Sequence, residues 1–471
     1  MKEYNPSSMT EPDTICAIAT GQGGAIGIVR VSGPEAIRLT EKIFRAHKGK
    51  KLDEAKSSTL SYGWIVDAEE KPVDEVLVSV FRSPHSYTGE NSTEISCHNS
   101  PYVMQKVMQL LLDNGCRLAQ PGEYTQRAFM NGKMDLSQAE SIADLIAAKT
   151  AAAHRLAVNQ MRGTYSAELK KLRDKLIELQ SLMELELDFS DHEELEFADR
   201  GQLKSLADTI EQKISRLAHS FQAGNAIKEG IPVAIIGETN VGKSTLLNAL
   251  LGEDKAIVSQ INGTTRDAIE DTMTINGMLF RFIDTAGIRK TDDEIEQLGI
   301  EKTFSKIEQA NIILWLIDAT DSHTQNINQQ ILTAVKNKQT LMVVNKTEEM
   351  TPDSLKLLSE KLHAAIPFPT IFISAKNKTN LEELENMLTT MAQIPKDMEN
   401  DIIVSNMRHY EALTLALEDI RRIKAGLQTS LPTDFIAQDM RDCIYQLSDI
   451  IGEVTSTTIL HNIFDRFCVG K

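Results

Sequence analysis

The sequence predicts a multidomain α/β protein, and three patterns along its 471 residues indicate that class. Residues 1–136 alternate short apolar runs with glycine, proline and serine, which is typical of an α+β domain. Residues 229–392 contain short β-branched runs of the kind found in parallel sheets that are buried on both faces. Between and after these stretches, apolar residues recur every three or four positions, as in amphipathic helices. At roughly 150 residues per domain, the chain can form about three domains.

The first stretch should fold as an α+β domain because each apolar run is short and is bounded by residues that favour turns. The predicted strands are 27–31, 76–81 and 94–97, and the predicted helices are 34–45 and 102–114.

The second stretch opens with a helix-start signature, since Ser137 is followed three residues later by Glu140, as in a capping box. An apolar series then predicts one face of a long amphipathic helix, and the helical pattern continues past an acidic interruption to about Ala226. Helical spacing returns near the end of the chain in two further series. The apolar residues of the long amphipathic helix are Leu169, Leu172, Leu176, Leu179, Met183 and Leu187. The two later series are Tyr410, Leu413, Leu417 and Ile420, and Cys443, Leu447, Ile450 and Val454.

The stretch between the helical parts reads as alternating strands and helices, with strands predicted at 231–236, 312–317, 341–344 and 371–373. An α/β unit flanked by helical segments suggests a domain inserted into a helical one, which the short distance between many domain termini allows. We therefore predict four segments. They are an α+β domain over 1–136, the first part of a helical domain over 137–228, the inserted α/β domain over 229–392, and the second helical part over 393–471.

Composition excludes several classes of protein. Hydrophobic residues make up 41% and charged residues 25%, so a disordered, collagen-like or small disulfide-stapled chain is ruled out. The five cysteines are scattered and never form a CxxC pair, which argues against a zinc knuckle and favours a reducing compartment. The first 13 residues lack the apolar core of a signal peptide, and no apolar run approaches the ~18 residues of a membrane span. The sequence thus predicts a soluble cytoplasmic protein without a membrane partner.

The net charge of −17 argues against a broadly basic nucleic-acid binder. Part of it is concentrated in residues 184–199, which hold eight acidic residues and no Lys or Arg. We interpret this stretch as a solvated face. An RNA partner would have to be met by a local patch of positive charge.

The most specific motif is Gly237-Glu-Thr-Asn-Val-Gly-Lys-Ser244, which follows one predicted strand and precedes a predicted helix at 245–251. Its glycines let backbone N–H groups turn toward a β-phosphate, and the helix N-terminus adds positive potential. Lys243 would reach the β- and γ-phosphates, and the Ser244 hydroxyl would ligate Mg²⁺. The motif predicts a nucleoside triphosphate site.

Further motifs follow later strands in the order of a Ras-like GTPase. Asp284-Thr-Ala-Gly287 offers a carboxylate for the Mg²⁺ shell and a glycine amide for the γ-phosphate, and Thr265 can complete that shell. In Asn345-Lys-Thr-Glu348 the acid can accept from guanine N1 and N2, and in Ser374-Ala-Lys376 a backbone amide can meet guanine O6. Each motif is weak alone, but their order and spacing predict a Ras-like GTPase domain that uses GTP.

The residue after this DTAG motif is Ile288, where a Ras-type enzyme places a water-orienting Gln. Because an isoleucine cannot orient water, hydrolysis must recruit another group. The sequence leaves three candidates open: Arg266, Arg289 and the acidic run 292–296.

The chain resembles the MnmE (TrmE) family of tRNA-modification GTPases over essentially its full length. The segments that carry this resemblance are more specific than the shared GTPase motifs. They are Gly27-Ile-Val-Arg30, Tyr87-Thr-Gly-Glu90, Pro121-Gly-Glu-Tyr-Thr-Gln-Arg-Ala-Phe129, Asn131-Gly-Lys-Met-Asp-Leu136 and the terminal Phe467-Cys-Val-Gly-Lys471.

The resemblance implies an N-terminal domain that binds a reduced folate through Arg30, Glu94, Lys133 and Lys471 and that mediates homodimerisation. It also implies a K⁺-stimulated GTPase in which Glu296 orients the attacking water. The K⁺ ligands it implies are Asn240, Ser259, Ile261 and Thr264. The remaining nucleotide contacts it implies are Val241, Gly242, Thr245, Gln260, Asn262, Gly263, Thr285 and Ala286.

The resemblance further implies a flavin-dependent partner of the MnmG type, with which the homodimer forms a heterotetramer that acts on tRNA. Together they would add an aminomethyl or carboxymethylaminomethyl group to C5 of a wobble uridine. Cys468, followed by a small basic tail suited to reaching into a site, would take part in that chemistry.

Two departures from the family pattern stand out. Glu348 occupies a position where Asp is usual, and His98-Asn-Ser100 replaces a usual HGG segment. The main alternative function is a ribosome-assembly or translational GTPase switch, although no GXXG loop lies in a frame suitable for a KH domain. A folate-binding aminomethyl-transfer module with a vestigial GTPase is a third alternative, disfavoured by the nearly complete nucleotide motifs.

Overall fold

A computed structural model describes residues 13–471 except 22, 48, 189–199, 256–270, 284–303, 322–328, 393–401, 430–432, 466, 468, 469 and 471. The chain divides into two compact units. The first contains Met1–Ala143, Asn159–Ile210 and Asp419–Lys471, and the second contains Asp144–Val158 and Glu211–Glu418. Among the described residues, no helix combines the length and apolar character needed to cross a membrane.

The first unit contains a mixed sheet with the strand order β3-β4-β5-β6-β2-β1-β7. Only the β1–β7 pair is parallel among these described strands. The strands are β1 (Ile15–Ile18), β2 (Ile26–Ser32), β3 (Phe44–Ala46), β4 (Thr59–Val66), β5 (Pro72–Phe81), β6 (Ser92–His98) and β7 (Arg117–Leu118), and the helices near them are α1 (Ala36–Ile43), α2 (Pro101–Asp113) and α3 (Glu123–Met130).

One face of this sheet packs against α1 and α2, as the alternation of apolar residues predicts. Val76, Val78 and Val80 of β5 are fully or almost fully buried in the same cluster as Val107 and Leu111 of α2. A smaller cluster that includes Ile15 and Tyr124 forms separately. The predicted α+β class of this segment is confirmed.

The helical segments follow as α4 (Leu136–Ala147), α5 (Ala151–Met161), α6 (Thr164–Asp188) and α7 (Arg200–Glu229). The predicted apolar face of α6 is confirmed, since Leu169, Leu172, Leu176, Leu179 and Met183 are each at most 2% exposed. The side chain of Leu187 lies outside the described residues.

The start of α4 corrects one prediction. The helix begins at Leu136, so Ser137 lies inside it and its hydroxyl bonds with Ser166. Asp135 is the N-cap: its carboxylate accepts from the Gln138 N–H, while the Gln138 side chain accepts from the Asp135 N–H. This is a reciprocal capping box displaced by two residues from the predicted one.

Two element ends also differ from the sequence prediction. The first helix stops at Ile43 and not at residue 45, because Phe44–Ala46 leaves the helix to pair with β4. Val454 was expected on a buried helical face, but it is 44% exposed. The helix before it ends at Ile451, since Gly452 adopts a φ of 86° that a helix does not allow.

The second unit contains a six-stranded sheet with the order β13-β12-β11-β8-β10-β9, and of these described strands only the edge strand β9 is antiparallel. Successive residues of β8 alternate between two apolar clusters, so the sheet is buried on both faces. The strands are β8 (Ile231–Ile236), β9 (Asp271–Ile275), β10 (Met278–Phe282), β11 (Ile312–Asp318), β12 (Gln339–Asn345) and β13 (Thr370–Phe372). The helices with them are α8 (Lys243–Lys255), α9 (Gln329–Val335), α10 (Pro352–Ala365) and α11 (Leu381–Met391).

The chain ends with α12 (Met407–Gln428), α13 (Thr433–Ile451) and α14 (Thr457–Phe464), and α13 packs on α6. The multidomain α/β class with a parallel sheet is therefore confirmed. The division into four segments at 136, 228 and 392 stays a prediction.

A close crossing joins α7 to the segment before α12. Gly224 lies against Val404: a Cβ on this glycine would be 2.1 Å from the Val404 carbonyl oxygen. The Val404 N–H donates to the Ser220 hydroxyl at 3.0 Å, and the rings of Phe221 and Tyr410 stack with centroids 4.4 Å apart. The absence of a side chain at Gly224 is what allows the two backbones to approach.

Candidate functional site

The Gly-rich loop between β8 and α8 has the backbone of a phosphate cradle. Gly237, Asn240 and Gly242 have φ values of 147°, 64° and 99°, which are left-handed or glycine-specific conformations. A Cβ on Gly242 would lie 2.3 Å from the Nδ2 of Asn345. Loops of this kind turn backbone N–H groups toward an anion, and the following helix N-terminus adds positive potential. Ser244 and Thr245 lie in the first turn of α8, which begins at Lys243, two residues before the predicted helix start.

Lys243 is folded over its own loop. Its ammonium donates to the carbonyl oxygens of Gly237 at 2.8 Å and Glu238 at 2.5 Å. Burial, together with the positive charge of Lys306, lowers the pKa of Lys243 below its usual value. The negative charge of a bound phosphate would favour the charged ammonium.

Asn345, the last residue of β12, joins two other loops at the carboxyl edge of the sheet. Its Nδ2 donates to the Val241 carbonyl at 2.8 Å, and its Oδ1 accepts from the Ala375 N–H at 3.0 Å. The residue is 3% exposed, so both bonds lie out of water. The phosphate loop and the predicted guanine loop are therefore connected through one side chain.

The two predicted guanine motifs lie together. Lys346 has a φ of 63° and is followed by a 3₁₀ turn over Thr347–Glu349, on which Glu348 is exposed. The Thr347 N–H and hydroxyl both donate to the carbonyl of Ile373, at 3.3 and 3.0 Å, which brings this turn beside the Ser374-Ala-Lys376 loop. The exposed carboxylate can thus accept from guanine. In the neighbouring loop the N–H groups of Ser374, Ala375 and Asn377 donate to Thr379, Asn345 and Ser374.

One residue of this edge was missed in the sequence. Asp318 ends β11 directly opposite Asn345, and its carboxylate lies 2.6 Å from the Lys346 ammonium. The available signal was a carboxylate at the carboxyl end of a buried parallel strand, which is where ligands bind in open α/β sheets.

Many predicted nucleotide-site residues lie outside the described residues and stay predictions. They are Ser259, Gln260, Ile261, Asn262, Gly263, Thr264, Thr265, Asp284, Thr285, Ala286, Gly287 and Glu296, together with Arg266, Ile288, Arg289 and the rest of 292–296. Cys468 and Lys471 also lie outside them.

A second cluster forms around Arg30 in the first unit. Arg30 and Glu94 are opposite each other on β2 and β6, and the guanidinium bonds the carboxylate at 2.9–3.0 Å. The guanidinium also lies over the rings of Tyr87 and Tyr124, 5.4 and 5.6 Å from their centroids. Its Nη1 donates to the Gly470 carbonyl at 3.4 Å. Two aromatic faces and one acid thus surround this cation.

Of the four predicted folate contacts, the structure brings Arg30 and Glu94 together. Lys133 instead donates to the Pro84 carbonyl at 3.0 Å, in the β5–β6 loop that also carries Tyr87. Sequence reasoning missed Tyr87 and Tyr124 as site residues. Both belong to segments that carry the family resemblance, but an aromatic side chain alone gives no signal of its partner.

The Gly-rich loop runs from a buried parallel strand into a helix, and it is bonded to an Asn-Lys-x-Glu turn. These two features define a P-loop protein of the GTP-binding class. Two family models match the chain: "GTP-binding protein TrmE N-terminus" over residues 14–133 and "MnmE helical domain" over residues 136–468. The tRNA modification GTPase MnmE of Bacteroides thetaiotaomicron is 59% identical over 465 residues, covering 98% of this chain and 99% of that protein.

The protein of the same name from Flavobacterium johnsoniae is 49% identical over 469 residues, covering 98% of this chain and 100% of the relative. A solved structure of Era in complex with MgGDPNP and 16S ribosomal RNA nucleotides is 30% identical, covering 40% of this chain and 66% of its own, with a TM-score of 0.28. From the family models and the full-length relatives, the chain belongs to the MnmE family. It is a GTP hydrolase of that family.

Proposed function

We propose that this chain uses GTP hydrolysis in the modification of tRNA, at C5 of the wobble uridine, together with a flavin-dependent partner of the MnmG type. Two observations together support the proposal. Asn345 joins the phosphate loop to the 374–376 loop at the carboxyl edge of the sheet, and the chain matches the MnmE family over almost its whole length. The group added would be aminomethyl or carboxymethylaminomethyl, the functional assembly a heterotetramer, and the compartment the cytoplasm. Cys468 is the proposed participant in the modification chemistry.

Deletion of the gene, followed by mass analysis of tRNA nucleosides, tests this function. We expect the C5-modified wobble uridines to disappear and to return when the full chain is expressed from a plasmid. The same cells should keep a normal ratio of ribosomal subunits. Unchanged wobble uridines together with a subunit imbalance would instead support the alternative of a ribosome-assembly switch.

In the proposed hydrolysis, the chain's own residues bind and orient GTP. The loop amides at 237–242 and Lys243 would hold the phosphates, Glu348 would accept from guanine, and Glu296 would orient the attacking water. Ser244, Thr265 and Asp284 would hold Mg²⁺, which neutralises phosphate charge when bound. The oxygen ligands of this set suit that ion.

We also propose a K⁺ site at the phosphate loop. Asn240 is exposed, and its left-handed backbone places an amide-bearing residue in the loop between Gly237 and Gly242. An amide oxygen is a hard ligand of the type that hard cations take. Ser259, Ile261 and Thr264 would complete the site, and K⁺ would supply positive charge beside the phosphates in place of an arginine finger.

Hydrolysis of GTP by the full chain should be much faster in KCl than in NaCl at equal ionic strength. Asn240→Ala should remove the difference between the two salts, because it removes the amide ligand. Asn248→Ala, an exposed change on α8, is the matched control and should keep K⁺ stimulation. Equal rates of the parent in both salts would reject the K⁺ site.

We further propose that the Arg30 cluster belongs to a reduced-folate site. The guanidinium can bind a carboxylate of the folate, and Glu94 can accept from the donors of its pterin ring. These residue types fit such a ligand, as do the flat faces of Tyr87 and Tyr124. Lys133 and Lys471 would add positive charge for the glutamate tail.

The same face of the sheet offers a surface for homodimerisation. Directly opposed residues on antiparallel strands share a face, so the row Leu60, Ser79, Glu94 and Arg30 runs across β4, β5, β6 and β2. Leu60, Tyr62, Trp64 and Leu77 on this face are 66%, 51%, 37% and 42% exposed. An exposed apolar patch of this kind is typical of an interface, and we propose a second copy of the chain as its occupant.

Arg30→Ala should weaken binding of 5-formyl-tetrahydrofolate to the full chain at least tenfold, as measured by calorimetry. The loss of one charge-assisted bond accounts for an effect of about this size. Arg38→Ala is the control, since Arg38 is exposed, pairs with Glu35 and lies on α1, which packs on the other face of the sheet. A parent that binds no folate, or an Arg30→Ala chain that binds it unchanged, would exclude this assignment.

A further inference from the structure

Asp318 is fixed from both sides at the end of β11. Its Oδ2 lies 2.6 Å from the Lys346 ammonium, and its Oδ1 accepts from the N–H and the hydroxyl of Thr320 at 2.9 and 2.7 Å. The Asp318 side chain is 15% exposed. Three hydrogen-bond donors therefore hold this carboxylate in one rotamer.

The Asp318 carboxylate is charged at neutral pH. Burial acts to raise the pKa of Asp318, but hydrogen bonds from Lys346 and Thr320 outweigh it and hold that pKa below its usual value. A charge-assisted contact in a partly buried site is stronger than a neutral hydrogen bond or a fully exposed ion pair. Lys346 is consequently restrained at the far end of its side chain.

The backbone of Lys346 is restrained as well. Its φ of 63° is rare for a residue with a side chain, and it directly follows Asn345, which bonds to Val241 and Ala375. The Asn345 carbonyl accepts from the Ala319 N–H at 2.9 Å, next to Asp318. The β11 end thus supports the turn that begins at Lys346 through both backbone and side-chain contacts.

We propose that Asp318 is a positioning residue for guanine-nucleotide binding. Asp318 anchors the Lys346 ammonium, and the four-carbon stem of Lys346 is thereby held in place to pack against the flat face of the purine. This inference rests on the proposed guanine site at Glu348. A free lysine has many rotamers, and ordering them on binding costs affinity. Holding the ammonium in advance removes that cost. Since the stem meets the face of the ring and not its edge, the effect does not depend on the groups at the edge.

Asp318→Asn in the full chain removes the charge and keeps the shape. We expect the Kd of GDP to rise about tenfold, which is 1.4 kcal/mol at 25 °C. The Kd of inosine diphosphate, which lacks the 2-amino group, should rise by the same factor. The kcat at saturating GTP should stay at the parent value, because among the described residues the Asp318 side chain bonds to Lys346 and Thr320 and not to the phosphate loop. Asp353→Asn, an exposed acid in the first turn of α10, is the matched control.

A double-mutant cycle with Lys346→Met identifies the route of the effect. If Asp318 acts through Lys346, Asp318→Asn should change the Kd no further in the Lys346→Met chain. Lys346→Met also tests the pair from its other side if Asp318→Asn does not fold. The inference is overturned if Asp318→Asn binds GDP like the parent, if it weakens binding equally in both backgrounds, or if it lowers kcat alone. Failure of the parent itself to bind GDP would instead refute the proposed guanine site.

Discussion

Asn345→Ala should weaken GDP binding by at least about a hundredfold. The change leaves the Val241 carbonyl and the Ala375 N–H without their partner in a site that is 3% exposed. Each buried group left unpaired costs roughly 1–3 kcal/mol, and each 1.4 kcal/mol is a factor of ten in affinity. The loss arises before any contact with guanine is counted, since both loops lose their attachment.

Equilibrium titration of the full chain with a fluorescent GDP analogue measures this effect. Asn377→Ala is the matched control, because Asn377 is exposed in the loop just after Ala375 and its backbone N–H, not its side chain, bonds to Ser374. We expect the control to bind like the parent. An Asn345→Ala chain with a Kd within threefold of the parent would show that the two loops keep their places without this amide.

Gly224→Ala should destabilise the second unit. A Cβ at this position would be 2.1 Å from the Val404 carbonyl oxygen and 2.8 Å from the Ile403 Cγ2, so the crossing must widen. Overpacking of this kind costs about 1–3 kcal/mol. The sign is diagnostic, because the same replacement at an unhindered helix position stabilises a protein by up to about 1 kcal/mol.

Thermal unfolding of the full chain, followed by circular dichroism, is the measurement. We expect the transition of the second unit to fall by several degrees, with Gln222→Ala on the exposed side of the same helix leaving it unchanged. A rise in the transition for Gly224→Ala would mean that Val404 does not press on α7 in solution.

The elements that the sequence predicted well are those specified by local pattern. Strand β8 has the predicted bounds, 231–236. Both of its faces are covered by apolar clusters, so all of its residues are apolar and the run is easy to recognise in the sequence. The α6 face followed its leucines because a helix repeats every 3.6 residues. The cap of α4 was misplaced because Asp135 with Gln138 and Ser137 with Glu140 are both acceptable capping boxes, and the structure forms the first.

What the sequence could not show depends on register between distant strands. Asp318 meets Lys346 only because β11 and β12 align residue 318 with residue 345. Arg30 likewise meets Glu94, 64 positions away, through the pairing of β2 with β6. Apolar periodicity predicts that these strands exist and which side is buried, but several registers satisfy the same periodicity.

The Asn345 amide bonds the phosphate loop through its nitrogen and the 374–376 loop through its oxygen. The phosphate half and the proposed guanine half of the nucleotide pocket are therefore connected through one side chain. If binding orders one loop, less entropy remains to be lost in the other, so we expect occupation of the two halves to be thermodynamically coupled and the coupling to be reciprocal. Guanosine alone or pyrophosphate alone would each have to immobilise a loop that serves the absent half. We therefore expect the binding free energy of the intact nucleotide to exceed the sum of the binding free energies of its two fragments.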